Sequence, residues 1–132
     1  MTLEERLKKT RDLRQSGFNC AQCVVGAFTD VTKIDDEIAL RIASGLGAGV
    51  AATGEICGVV SAIAINAGLL DNAEPTAKKR VMSQASSVID KFRKTHRCVR
   101  CCEIKGKENG APCNTLIEDG VRLFHQYLEE KG

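Results

Sequence analysis

Cys20/Cys23 and Cys98/Cys101 form two Cys-x-x-Cys pairs. Cys57 sits in a glycine-flanked turn, and Cys102 and Cys113 follow the second pair, making seven cysteines in 132 residues. Packing alone rarely requires so many thiols. Thiols concentrated at i, i+3 spacing usually exchange with disulfides or hold a soft metal. Cys20 directly follows Asn19, a good N-cap, so it falls in a helix's first turn, where unpaired N–H groups favour an anion. That setting suits a nucleophile or a metal ligand. Cys57 and Cys113 are also expected at helix entrances. Cys98, Cys101 and Cys102 lie among Lys94, Arg97 and Arg100, cations that favour thiolate. His96 stands in this basic segment, where a lone histidine is usually just exposed, and His125 reads as structural.

The elements that must position these thiols read as helices. Thr2-Leu3-Glu4-Glu5 has a capping-box pattern, and Leu3, Leu7 and Leu13 mark one face of a first helix to about Gln15. A second helix is expected from Cys20 to Phe28, and a third from Asp35 or Asp36 toward Ser44. Ile56 to Leu69 is almost wholly apolar and reads as the central buried helix. Pro75 starts a long helix to about His96, Cys98 to Lys105 a short helical or turn segment, and Asn114 to Glu130 the last helix. Gly106 to Pro112 reads as a polar loop. No alternating β-branched run marks a strand. The expected fold is all-α, a single-domain bundle of about six helices over 1–132.

The glycine-rich run Gly45-Leu46-Gly47-Ala48-Gly49 misses the dinucleotide spacing because position 50 is Val, and it lacks the Lys-Ser/Thr of a phosphate loop. Small residues there let a helix end approach another backbone closely.

Hydrophobic residues make up 43% and charged ones 27%, a globular balance. Net charge is +2, and with four Phe, one Tyr and no Trp there is little for bases to stack on, which argues against nucleic acid. The charge is uneven: Lys78 to Glu108 carries ten Lys/Arg against three Asp/Glu. That is either a solvated helix face or a basic setting for thiolates. Met1 to Gln15 is charged and has no secretory h-region, and no stretch matches a membrane span. A cytoplasmic location is the expectation, where cysteine clusters serve redox or metal chemistry more often than static disulfides. The apolar stretch Val50 to Leu70 exceeds what one helix in so small a bundle readily hides, so a homodimer is expected.

Taken together, Gly17-Phe18-Asn19-Cys20-Ala21-Gln22, Leu40-Arg41-Ile42-Ala43-Ser44-Gly45, Gly54-Glu55-Ile56-Cys57-Gly58 and Cys101-Cys102-Glu103-Ile104-Lys105-Gly106 with Cys113 resemble the C-GCAxxG-C-C family, small bacterial and archaeal chains labelled redox-active. In that register the family cysteines are Cys20, Cys57, Cys101 and Cys113. The family's Ala and second Gly after Cys-Gly are replaced here by Val59 and Ala62, and Cys23, Cys98 and Cys102 are additional.

The leading reading is thiol–disulfide oxidoreductase chemistry. Cys20 attacks, Cys57, Cys101 or Cys113 resolves, and the redox partner is not specified. The alternative is a binding module in which Cys20, Cys23, Cys98 and Cys101 hold zinc or an iron–sulfur cluster. Those two pairs are separated by 74 residues and meet only if their helices pack side by side. A third reading keeps all seven thiols as inert packing.

Overall fold

Two local signals set where the first helices begin. Thr2 caps α1 (Leu3–Gln15) by accepting from Glu5 N at 3.1 Å, while its own N–H donates to Glu5 Oε1 at 2.9 Å. Asn19 and Gln22 repeat the reciprocal pair, both bonds 2.9 Å, at the start of α2 (Cys20–Gly26). The computed structural model describes residues 1–97, 99–100 and 113–131, and among them it is all-α with no strand. The further helices are α3 (Thr29–Thr32), α4 (Asp36–Ala43), α5 (Gly58–Leu69), α6 (Lys78–His96) and α7 (Cys113–Lys131). A 3-10 turn, Pro75–Ala77, leads into α6, with Pro75 at the entrance as the sequence implies. The segment expected over Cys98–Lys105 and the loop Gly106–Pro112 lie largely outside the described residues, as do Cys98, Cys101 and Cys102.

Two boundaries differ from the expectation. The second helix ends at Gly26 rather than Phe28, and α3 follows as a separate turn of helix, closed by Lys33 at φ 65°. The break turns the fully buried Phe28 ring edge-on to Phe124, with centroids 4.8 Å apart and planes at 81°. The apolar central helix starts at Gly58 rather than Ile56. Ile56 instead pairs with Arg100 in an isolated antiparallel bridge, and Cys57 N donates to Val99 O at 2.8 Å. Those bonds hold the chain extended and delay the helix by two residues.

α2 and α5 are the inner helices. α2 packs against α1, α4, α5 and α7, and α5 against α2, α6 and α7. Val24, Val25, Val59, Ala62, Ile63, Phe92, Val121 and Phe124 are removed from solvent at their junctions. Burying a Val, Ile or Phe side chain stabilises by about 1.5–3 kcal/mol. Within Val50–Leu70, the stretch that suggests a homodimer, α5 is largely covered by the chain's own helices, while Val50 and Ile56 stay exposed. No helix among the described residues is long and apolar enough to cross a membrane.

A buried arginine fastens the two chain ends. Arg6, 3% exposed, lies 4.4 Å over the Phe28 ring. It donates to Ala27 O at 2.8 Å, to Asp30 Oδ1 at 2.6 Å and from Nε to His125 Nδ1 at 3.0 Å. Because Nδ1 accepts, the His125 proton sits on Nε2 and is donated to Glu129 Oε1 at 2.7 Å. His125 is structural, as read from the sequence. Burial pushes the Asp30 carboxyl up, but the bonds from Arg6 and the Met1 amino group outweigh it and hold it at about 2. A carboxyl lowered by folding contributes stability that is present above its ordinary value of 3.8 and lost as pH falls through its folded value. Thermal stability should therefore drop between about pH 4 and pH 2, and melting curves of Asp30→Asn over that range should show a shallower drop from a lower neutral-pH plateau.

Candidate functional site around Cys20 and Cys57

Three of the described cysteines stand at helix entrances. Cys20 is the first residue of α2, Cys57 the N-cap of α5 and Cys113 the first residue of α7. The decisive contact is between the first two entrances. Cys20 Sγ lies directly against Gly58, the residue after Cys57. A methyl at position 58 would overlap that sulfur and stand 3.1 Å from Leu46 O and 3.2 Å from Ala21 N. Glycine at 58 is thus what lets the Cys20 sulfur pack against the start of α5. Cys20 is half-buried and reachable from solvent, whereas Cys57 is almost fully buried.

The floor of the site is the loop between α4 and α5. Its backbone turns left-handed over five consecutive residues, with φ of 50° at Ala48, 77° at Gly49, 68° at Val50, 50° at Ala51 and 62° at Ala52. Each L-residue other than glycine held this way costs about 1–2 kcal/mol. Backbone bonds counter the cost: Ala51 N to Gly45 O at 2.8 Å, Ala52 N to Gly47 O at 3.1 Å and Glu55 N to Gly49 O at 2.9 Å. Thr53 Oγ1 adds a bond to Gly49 O at 2.7 Å. The loop presses on the cap of α2, where a Cβ on Gly47 would stand 2.7 Å from Asn19 Nδ2, and Asn19 Nδ2 donates to Ser44 O at 3.1 Å. The close neighbour at this glycine run is the Asn19 side chain at Gly47, rather than another backbone as expected from sequence, and Gly45 faces open space. The left-handed course through Val50, Ala51 and Ala52 carries no such signal, since strained φ values normally announce themselves as glycine.

Cys23 lies three residues into α2 and is fully buried, its Sγ donating to Phe18 O at 3.8 Å. Burial pushes its thiol up to about 11; Arg14 pulls against that rise and an ionised Cys20 adds to it. Arg14 Nη1 donates to the same Phe18 O at 3.2 Å, and its Nε donates to Asn114 Oδ1 at 3.1 Å. One guanidinium therefore links the turn before Cys20 to the entrance of α7, beside Cys113. Arg14 was not singled out from sequence, where it is one charge on an amphipathic helix. His96 is also placed differently from its sequence reading. Its side chain is 9% exposed, its ring tilted against Phe92 with centroids 4.7 Å apart and Nε2 bonded to Asp119 Oδ2 at 3.0 Å.

Cys57 N–H on Val99 O brings the stretch that follows α6 to the same place. Arg100 lies 3.3 Å from Glu55 Oε2 there. Cys98 and Cys101, two of the four sulfurs in the metal reading, flank this stretch but are not among the described residues. Within the described residues, no three His, Cys, Asp or Glu side chains gather as a metal shell would.

A sequence model of one family, described as "Putative redox-active protein (C_GCAxxG_C_C)", matches residues 18–127. The chain belongs to that family. The match starts just before Cys20 and takes in Cys57-Gly58, Cys101 and Cys113. The contact between Cys20 and Gly58 supplies a physical reason for glycine after Cys57 in this chain. Next along α5, Val59 packs against Gly120 of α7 and Ala62 is fully buried. No curated protein and no solved structure matches the chain.

Proposed function

We propose that this member of the redox-active family performs reversible thiol–disulfide exchange, with Cys20 as the attacking sulfur. The observation that carries the reading is the packing of the half-buried Cys20 Sγ on Gly58, the residue that follows the buried Cys57 at the entrance of α5. In the exchange, Cys20 thiolate attacks a disulfide of a partner protein or small molecule and forms a mixed disulfide, releasing one thiolate. A second thiol of the chain loses its proton, attacks Cys20 Sγ and expels the other half. The substrate gains two electrons and two protons, and the chain is left with one disulfide. The resolving thiol is drawn from Cys57, Cys101 and Cys113 in the reading made from sequence.

Differential alkylation after mild oxidation and re-reduction tests the proposal. In the wild type, Cys20 should lose and regain its reactivity toward an alkylating agent, and Cys20→Ser should lose the fast-reacting thiol and the reversible mass change together. If no cysteine changes state, or if Cys20→Ser cycles like the wild type, the reading fails.

A further inference from the structure

Cys23 lies outside the four cysteines of the family motif, yet it shares the first turn of α2 with Cys20. We propose that Cys23 is the thiol that resolves a mixed disulfide formed on Cys20, an inference that rests on the exchange chemistry proposed above.

Three observations support the assignment. The first is a contrast in access: Cys20 is half-buried and Cys23 fully buried, so a partner disulfide reaches only Cys20 and Cys23 is kept for the internal step. The second is local placement. Residues three apart on a helix have Cβ atoms about 5–6 Å apart, and a disulfide needs roughly 3.8 Å. Only the first turn has to tighten, and no ladder bond holds the Cys20 N–H there, because the first bond inside α2 is Cys23 N to Asn19 O at 3.0 Å. The third is the surroundings of the buried sulfur. Its thiol points at Phe18 O, and the Arg14 guanidinium is bonded to the same oxygen. A cation therefore stands ready beside the sulfur as its proton leaves.

The step balances as a two-electron exchange. Cys23 S–H gives up its proton to solvent, the sulfur attacks Cys20 Sγ, the Cys20–substrate S–S bond breaks and the substrate thiolate departs. The product is a Cys20–Cys23 disulfide, and the substrate disulfide ends as two thiols.

Oxidised glutathione serves as the probe on the reduced full-length chain, with acid quenching, alkylation and tryptic mass mapping. The tryptic peptide 15–33 contains Cys20 and Cys23 and no other cysteine. An internal bridge therefore appears as that peptide lighter by two hydrogens, while a bridge to Cys57 joins two peptides. The wild type should give the light peptide with little lasting glutathione adduct. Cys23→Ala and Cys23→Ser, each checked for a cooperative melt, should accumulate the adduct on Cys20 and clear it at least about tenfold more slowly. Clearing at the wild-type rate, with Cys20 joined to another peptide, would overturn the assignment and leave the exchange reading intact. No adduct or bridge on Cys20 in any of these proteins would overturn both.

Discussion

Gly58→Ala is expected to destabilise the fold by about 1–3 kcal/mol and to push Cys20 toward solvent, the cost of forcing a methyl into a filled space. The added carbon would meet Cys20 Sγ on one side and main-chain atoms of Leu46 and Ala21 on the others. A sulfur at the end of a side chain can swing away; the two backbone atoms cannot, so α2 and α5 must part slightly. The specific signature is non-additivity. In Cys20→Ala/Gly58→Ala the vacated sulfur volume accepts the new methyl, and the double variant should recover roughly 1 kcal/mol relative to the sum of the singles. Denaturant unfolding of the four proteins measures the cycle, and alkylation of Gly58→Ala should be faster at Cys20 than in the wild type. An additive cycle would mean that the sulfur does not rest on position 58.

The second large effect is at the other end of the bundle. Arg6→Met should cost about 3 kcal/mol or more, because removing one partner of a buried pair leaves the other without compensation. Asp30 would lose its guanidinium, and Ala27 O and His125 Nδ1 would each lose a donor. Asp30→Asn in the same chain should recover part of the loss by removing the stranded charge. The acid-side fall in melting temperature attributed to Asp30 should also fade in Arg6→Met, since the lowered carboxyl value depends on that arginine. Cys20 alkylation should be unaffected as long as the protein is folded, which separates this fastening from the thiol site.

What could be read from sequence was mostly local chemistry. Thr2 with Glu5 and Asn19 with Gln22 are capping pairs only three residues apart, so they identify the starts of α1 and α2 without knowledge of the rest. The apolar run after Cys57 likewise marked the inner helix. Features decided between distant residues were not legible. Phe28 leaves its helix to meet Phe124, and Ile56 stays extended to meet Arg100. His96 looks like one more polar residue in a basic stretch until Asp119 and Phe92 are brought to it. For the thiols, sequence placed Cys20, Cys57 and Cys113 at helix entrances, with Cys57 in a glycine-flanked turn. That Cys20 is the group in contact with Gly58 depends on how α2 packs against α5. Arg14 owes its position to Phe18 O and Asn114 together, one of them supplied by the far end of the chain.

Between Ala48 and Ala52 the main chain coils in the sense natural to mirror-image amino acids, although its residues are of the ordinary hand. Such a bend has no local tendency to form and is expected to set only when its bonds to Gly45, Gly47 and Gly49 close. It lies in the same loop as Leu46 and Gly47, which touch the entrances of α5 and α2. A half-folded chain would therefore carry Cys20 without the close fit of the α2 cap on this loop.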